Sequence, residues 1–376
     1  VEPQVFRLLV FLIENRDRVV SKDQIIETVW EGRIVSDATL NTRINAARCA
    51  VGDNGKDQLV IHTIPRRGFR FVADLTEAGG TSSSKAQIDG VRSANSAARA
   101  SQTIRFCTTP DNVRIAYANA GSGPPLVKAA NWLNHLEFDW DSPVWRHVFA
   151  AFAAENLLIR YDARGNGLSD WDVEDLSFDA FVSDLEQVVD TVGLKEFPLL
   201  AMSQGCSVSI AYAVRHPERV TKLILYGGYA RGNAMRGEGE TDEHIAMRTL
   251  IRAQWGTDNP AMRQLFTARF IPGGTLEQIR WFNDLQRMTT TPENAARLRE
   301  TIDFIDIDEL LLQVQCPTLV LHCRDNAVSP SEEGRRMAAK IPDARFVALE
   351  GQSHLIMEDE PAWPIILEEV SAFLKD

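Results

Sequence analysis

Several things are scarce in this chain, and each scarcity narrows the reading. No apolar run approaches the ~18 consecutive residues that a membrane span needs, so no membrane partner is expected. The start shows no basic segment followed by an apolar stretch and a cleavage site, so no secretory signal is read there. Cysteine is rare: Cys49, Cys107, Cys206, Cys316 and Cys323 are odd in number and scattered, with no Cys-x-x-Cys spacing. That argues against a disulfide framework and a zinc site, and favours a reducing, cytoplasmic setting. No metal and no cofactor is expected. Positive charge is also short, with a net charge of −12. An acidic body repels phosphate, so any contact with nucleic acid must be local.

What is present is ordinary for a globular protein: 44% hydrophobic and 24% charged residues in a chain of 376. That length exceeds the usual ~100–200 residues of one domain and makes two domains the natural expectation. Charge is uneven. Residues 1–75 hold 11 Lys+Arg against 10 Asp+Glu, which leaves the remainder near −13. Between residues 76 and 102 the composition shifts to TEAGGTSSSKAQIDGVRSANSAARASQ, rich in Gly, Ser and Ala and without an aromatic residue. Such a stretch lacks the apolar surface to fold alone and reads as a flexible linker. The expected organisation is a first domain over 1–75, a linker over 76–102 and a second domain over 103–376.

In the first domain, PQVFRLLVFLIENRDRVV and KDQIIETVW carry apolar residues at helical spacing, with Ser21 as N-cap of the second. DATLNTRINAARCAVG is a third helix, capped by Ser36 or Asp37, with Leu40, Ile44, Ala47 and Val51 on one face. LVIHTIPRRGFRFVADL then reads as a hairpin with Gly68 near its turn. Three helices and a hairpin are the order of a winged helix. The segments ENRDRVVSKDQIIETVW, VSDATLNTRINAAR and IHTIPRRGFRFV resemble the DNA-binding domain of OmpR/PhoB-type transcription regulators. That family carries a small β-sheet before its first helix, so the natural chain is expected to start earlier. The family's phosphorylated receiver domain is absent from this sequence, so phosphorelay control is not carried over. The resemblance implies that the third helix enters the major groove, with Thr42, Arg43, Asn45 and Arg48 facing DNA. It places Arg66, Arg67 and Arg70 on the wing. For any one arginine a solvated surface is the plainer reading; the set, placed on helix and hairpin, favours DNA.

The second domain alternates short apolar runs with helical patterns. NVRIAYANAG pairs with TIRFCTTP as a hairpin; PPLVKAAN, NLLIRYDA, FPLLAMSQG, VTKLILYGG, CPTLVLHCRD and ARFVALEGQ suit buried parallel strands. The fold class is therefore α/β, a doubly wound, mostly parallel sheet. From about 229 to 315 the alternation stops and helices follow one another, which reads as a lid.

FPLLAMSQGCSVSIAYAV places Ser203 at a strand–turn–helix junction, a nucleophile elbow with Ala201 where such elbows usually carry glycine. There a helix N-terminus and the Gln204 amide face any developing oxyanion. Serine needs a base and the base needs an orienting acid. Asp325 follows one late strand and His354 follows the next, in the order serine, acid, histidine. Taken singly, Asp325 reads equally as a helix cap and His354 as a loop histidine; the order makes the set. With YDARGNGLSD at 161–170, these motifs resemble the α/β-hydrolase superfamily from about 103 to 376, esterase- and C–C-hydrolase-like members above all. Where that family usually has His-Gly, this chain has Ala130-Asn131, leaving the Trp132 amide as the second oxyanion donor. Trp132, His135, Trp140 and Trp145, with Trp255, Phe266, Phe270, Trp281, Phe282 and Phe304 of the lid, serve packing or line an apolar pocket.

Three functions remain open at this point. The first is a DNA-binding regulator, homodimeric on paired half-sites, whose hydrolase domain binds and cleaves a small apolar ester, lactone or related signal. The second is a regulator whose hydrolase pocket only senses. The third is an esterase whose winged helix mediates assembly.

Overall fold

The computed structural model describes residues 3–16, 18–30, 37–51, 53, 58–64, 68–72, 102–237, 239–257 and 259–376. The chain divides into two compact units, Val1–Val91 and Arg92–Asp376. Apart from Gln102, the linker expected at 76–102 lies outside the described residues.

In the first unit α1 (Pro3–Glu14), α2 (Lys22–Trp30) and α3 (Asp37–Ala50) precede an antiparallel hairpin of β1 (Ile61–Ile64) and β2 (Gly68–Phe71). Its core joins Leu8 and Leu12 of α1, Ile25 of α2, Leu40 and Ile44 of α3, and Ile61 and Phe69 of the hairpin. Each such side chain taken from water contributes roughly 1.5–3 kcal/mol. The hairpin is also tied to the helices through Val20, which exchanges backbone hydrogen bonds with Phe69 at 2.8 and 2.9 Å.

The second unit is built on eight strands: β3 (Thr103–Thr108), β4 (Arg114–Ala120), β5 (Pro125–Lys128), β6 (Leu157–Tyr161), β7 (Phe197–Met202), β8 (Val220–Tyr226), β9 (Thr318–Cys323) and β10 (Ala344–Leu349). Their spatial order is β10-β9-β8-β7-β5-β6-β4-β3. β5 to β10 run parallel, and β3 and β4 form the antiparallel edge. All six residues of β9 are buried, as expected of a strand covered on both faces.

The connecting helices are α4 (Leu136–Trp140), α5 (Arg146–Glu155), α6 (Phe178–Val192), α7 (Gln204–Arg215), α12 (Ser331–Lys340) and α13 (Ala362–Lys375). α6 shows how the sequence sets an element. Ser177 caps its N-terminus by accepting from Ala180 N–H, Phe181, Leu185, Val188 and Val189 are buried, and Gly193 ends it in the left-handed region at φ +78°. Between β8 and β9 come α8 (Asp242–Gln254), α9 (Pro260–Phe270), α10 (Leu276–Thr289) and α11 (Pro292–Asp303). This insert covers the C-terminal edge of the sheet. Trp255 stacks on Trp132 at 5.5 Å between ring centroids, and Phe270 O accepts from His354 N–H at 2.8 Å. No helix among the described residues is long and apolar enough to cross a membrane.

Candidate active site and DNA-facing helix

Strand order reverses at β5, where the chain passes to β6 on one side and then to β7 on the other. In such sheets ligands collect beyond the strand ends at the reversal. Ser203 sits there, after β7 and directly before α7, with φ +53° and ψ −131°. A non-glycine residue in that region is strained, and the strain aims its side chain away from the strand. The turn works because its neighbour is glycine: a Cβ at Gly205 would lie 2.6 Å from Ala130 O of the β5 loop. Ala201 is fully buried in β7, so a methyl group is accepted where other elbows have glycine.

His354 follows β10 and is 2% exposed; Ser203 is 9% exposed. The two converge on the end of β8. A Cβ at Gly227 would lie 3.7 Å from the His354 ring, and one at Gly228 would lie 3.3 Å from Ser203 O. His354 Nε2 has no hydrogen-bond partner among the described residues, so the serine hydroxyl and the base are not joined. Phe270 packs edge-on to the imidazole at 5.3 Å.

The expected acid is not the residue beside this histidine. Asp325 is exposed, and its backbone N–H donates to Gly351 O at 3.2 Å. The neighbouring Asn326 is buried and faces the ring instead, with Nδ2 at 3.0 Å and Oδ1 at 3.1 Å from His354 Nδ1. The physical reason lies in the turn. Asn326 Oδ1 accepts from Val328 N–H at 3.0 Å and Ser329 N–H at 3.1 Å, which folds this side chain inward and leaves Asp325 outward. His322, buried on β9, holds the same loop from below through Nε2 to Ser329 O at 2.9 Å. Burial pushes the His354 imidazole down to about 3, with His322 and the Arg236 guanidinium adding to the effect. No carboxylate among the described residues offsets it.

The expected oxyanion donors also need correction. Trp132 N–H is already engaged: it donates to Gln204 Oε1 at 2.9 Å. Gln204 heads α7 as expected, but its side chain closes the second donor. Beneath the loop, the buried Lys128 donates from Nζ to Asn131 Oδ1 at 2.6 Å and lies 5.4 Å over the Trp145 ring. Burial, reinforced by Arg160, lowers the Lys128 pKa. Sequence reasoning missed this lysine, because a single Lys at a strand end reads as a surface residue.

The YDARGNGLSD turn is structural. The Asp162 carboxylate accepts from Leu136 N–H at 3.1 Å, Leu168 N–H at 2.8 Å and Asn134 Nδ2 at 2.5 Å. Arg164 pairs with the fully buried Asp184 at 2.8 Å. His135 caps α4 by accepting from Phe138 N–H.

In the first unit one expected DNA contact is overturned. Arg48 is 4% exposed; its Nε and Nη2 donate to Ile61 O at 3.0 and 2.8 Å, and Nη2 also donates to Thr63 Oγ1 at 2.8 Å. It ties α3 to β1 and cannot reach a duplex. Asn45 is exposed, Arg43 half-buried, and Arg70 exposed with Nε donating to Arg16 O at 3.2 Å. The Thr42 side chain, Arg66 and Arg67 lie outside the described residues.

Known proteins match both units. Residues 135–361 match the family described as alpha/beta hydrolase fold, more than half of the chain, and the protein belongs to that family. Residues 1–71 match the family described as transcriptional regulatory protein, C terminal. The non-heme chloroperoxidase CPO-A1 of Kitasatospora aureofaciens is 30% identical over 265 residues, 66% of this chain and 91% of that protein. Pyrrolizixenacetamide deacetylase of Xenorhabdus hominickii is 23% identical over 261 residues, 68% of this chain and 93% of that one. Among solved structures, the esterase EaEST of Exiguobacterium antarcticum aligns with a TM-score of 0.62 at 23% identity, covering 73% of this chain and all of that one. At that identity the likeness speaks for the fold.

Proposed function

We propose that the protein is a DNA-binding transcription regulator whose hydrolase-fold domain acts as the receptor for a small ligand rather than as an efficient hydrolase. The observation that carries this reading is Asn326 in the place of the orienting acid. A triad carboxylate accepts Nδ1–H, leaves Nε2 free to take the serine proton and stabilises the imidazolium that forms. An amide carries no charge, and its NH2 can hold the opposite tautomer. Losing the acid in a serine–histidine pair lowers turnover by ~10⁴. A base held near 3 is moreover a poor proton acceptor at neutral pH. Gln204 on the Trp132 amide supports the same conclusion.

The strained Ser203 turn favours a second reading, a slow esterase, because that geometry is the one an acyl-enzyme mechanism needs. There Ser203 would attack, His354 would shuttle the proton and the Gln204 amide would hold the oxyanion. Labelling of the purified protein with a fluorophosphonate, beside Ser203→Ala, tests the choice. Labelling slower than that of an ordinary serine esterase by ~10³ or more, and no turnover across an ester and lactone panel, is expected of a receptor. Fast labelling lost in the variant would establish the enzyme.

DNA binding rests on the first unit, with Arg43, Asn45 and Arg70 as the expected contacts that remain among the described residues. Selection of genomic fragments by the full chain, followed by anisotropy at several salt concentrations, tests it. A regulator selects a defined site and shows the salt dependence of phosphate neutralisation. No selected site would instead favour an assembly role for the winged helix.

A further inference from the structure

Next to the His354 site, and lined by neither Ser203 nor His354, is a cavity of about 260 Å³. It opens between α8, α9 and α11 of the insert and the loop after β9. Its charged lining comprises Arg236, Arg269, Arg299, His244, Glu243 and Asp303. Three guanidiniums against two carboxylates leave an excess of positive charge, and the pairing pattern sharpens it. Arg299 is committed to Asp303, with Nη2 at 2.7 Å. Arg248, outside the cavity, adds a second arginine on Asp303 at 3.7 Å. Arg236 has no carboxylate within ion-pair distance among the described residues; its Nε donates to Arg231 O at 2.7 Å and its guanidinium lies over the Tyr229 ring. Arg269 forms no ion pair among the described residues and is exposed.

In a body of net charge near −13 beyond residue 75, a recess with two guanidiniums outside any ion pair among the described residues, and Glu243 as the one further carboxylate of its lining, is unusual. A guanidinium presents donors in a planar fork that matches a carboxylate. The remaining wall is Asn233 on one side and the apolar side chains of Met247, Ala327, Val328 and Pro330 on the other. An acidic head beside an apolar wall describes an organic acid better than a bare inorganic ion. The volume lies near the lower end of small-molecule sites, which suits a compact molecule.

We infer that this cavity binds a small organic carboxylate, held by Arg236 and Arg269, at a position distinct from the serine. Its walls run directly into the partners of His354. Arg269 precedes Phe270, whose carbonyl accepts from His354 N–H. Ala327 and Val328 follow Asn326, and Val328 N–H donates to Asn326 Oδ1. Occupancy of the cavity therefore bears on the insert and on the turn that orients His354. This gives the receptor reading a ligand class and rests on it for its regulatory meaning, while the binding itself does not depend on DNA.

The test is calorimetric titration of the full-length chain with benzoate, succinate and inorganic phosphate, at matched ionic strength. At least one carboxylate is expected to bind with Kd of about 1 mM or tighter, and to raise the melting temperature of the second unit. Arg269→Gln and Arg236→Gln should each weaken it by about fivefold or more, Arg269→Lys should restore part of the loss, and Arg252→Gln, at an exposed arginine outside the cavity, should change nothing. Arg269 is exposed, so its variant keeps the test sound if Arg236→Gln folds poorly. No carboxylate binding at about 20 mM, preference for phosphate, or affinity unchanged in Arg269→Gln would overturn the inference. Fluorophosphonate labelling and DNA selection read other atoms, so failure here leaves the proposed function standing.

Discussion

His354 Nδ1 lies 3.0 Å from the nitrogen and 3.1 Å from the oxygen of the Asn326 amide, with no carboxylate alongside among the described residues. The amide oxygen already serves two backbone N–H groups, so its nitrogen is well placed to donate to the ring. An amide that donates there puts the imidazole proton on Nε2, the atom on which a general base needs a lone pair. Asn326→Asp should reverse it. The carboxylate keeps both backbone bonds, accepts Nδ1–H and raises the base strength of the ring. Hydrolysis of p-nitrophenyl acetate and fluorophosphonate labelling should both rise, by ~10²–10⁴. A variant that folds and gains nothing would show that the acid position is not what limits chemistry here.

Gln204 Oε1 on the Trp132 amide makes a second, separable obstacle. Gln204→Ala removes the acceptor and leaves that N–H to solvent or to an oxyanion. One oxyanion donor is worth ~10²–10³ in turnover, and a relaxed loop recovers part of this. In the Asn326→Asp background Gln204→Ala should therefore add about tenfold or more to kcat with little change in KM. In the parent background the gain should be small, because proton transfer limits first. Equal gains in both backgrounds would mean that the two obstacles act independently. Kinetics of the four proteins decide the matter.

How far the sequence reaches is clear from two cases. β9 and β10, the elbow and His354 are legible because they depend on apolar runs and on one short motif. Which of Asp325 and Asn326 turns inward depends on the hydrogen bonds of the turn, whereas residue chemistry alone favours the acid. The signal that favours Asn326 is local: asparagine bonds to backbone N–H groups two and three residues on, and Pro330 stands at the cap of the next helix. Arg48 is the second case. It stands four residues after Ile44, on the same helical face as the core, so helical spacing points it inward even though its charge suggests DNA. The arginine cavity was illegible, because Arg236, Arg269 and Arg299 are far apart in sequence and meet only through the insert's packing.

Arg48→Ala should consequently act on folding before it acts on DNA. The change strands Ile61 O and empties a buried site between α3 and β1. Loss of charge-assisted bonds to a buried carbonyl costs about 2–4 kcal/mol, on the order of 10 °C for a unit of this size. Arg70→Ala removes an exposed side chain bonded once to Arg16 O and should leave the melting temperature within about 2 °C. Melting of the first unit, followed by far-ultraviolet circular dichroism, separates the two. A folded, equally stable Arg48→Ala protein with weakened DNA binding would restore Arg48 to the DNA-facing set.

The buried imidazole also leaves a mark on acid stability. His354 is held at about 3 in the folded protein against 6.5 for a free histidine, so the unfolded chain binds the extra proton first. The stability tied to this difference is fully present above pH 6.5 and is lost as pH falls from 6.5 toward 3. His147 and His322, lowered chiefly by burial, work in the same direction. Asp184, raised to about 6 mainly by burial, works the other way, as does the buried Asp139. A direct comparison of parent and His354→Gln cancels these shared contributions. Glutamine cannot take the proton, so the variant should lose less stability than the parent between pH 6.5 and 4.5, by about 2–3 kcal/mol at one proton per molecule. Urea unfolding at half-unit pH steps measures the difference. Parallel stability curves would mean that His354 titrates near its ordinary value and is open to water, and the argument for a weakened base would then fall with it.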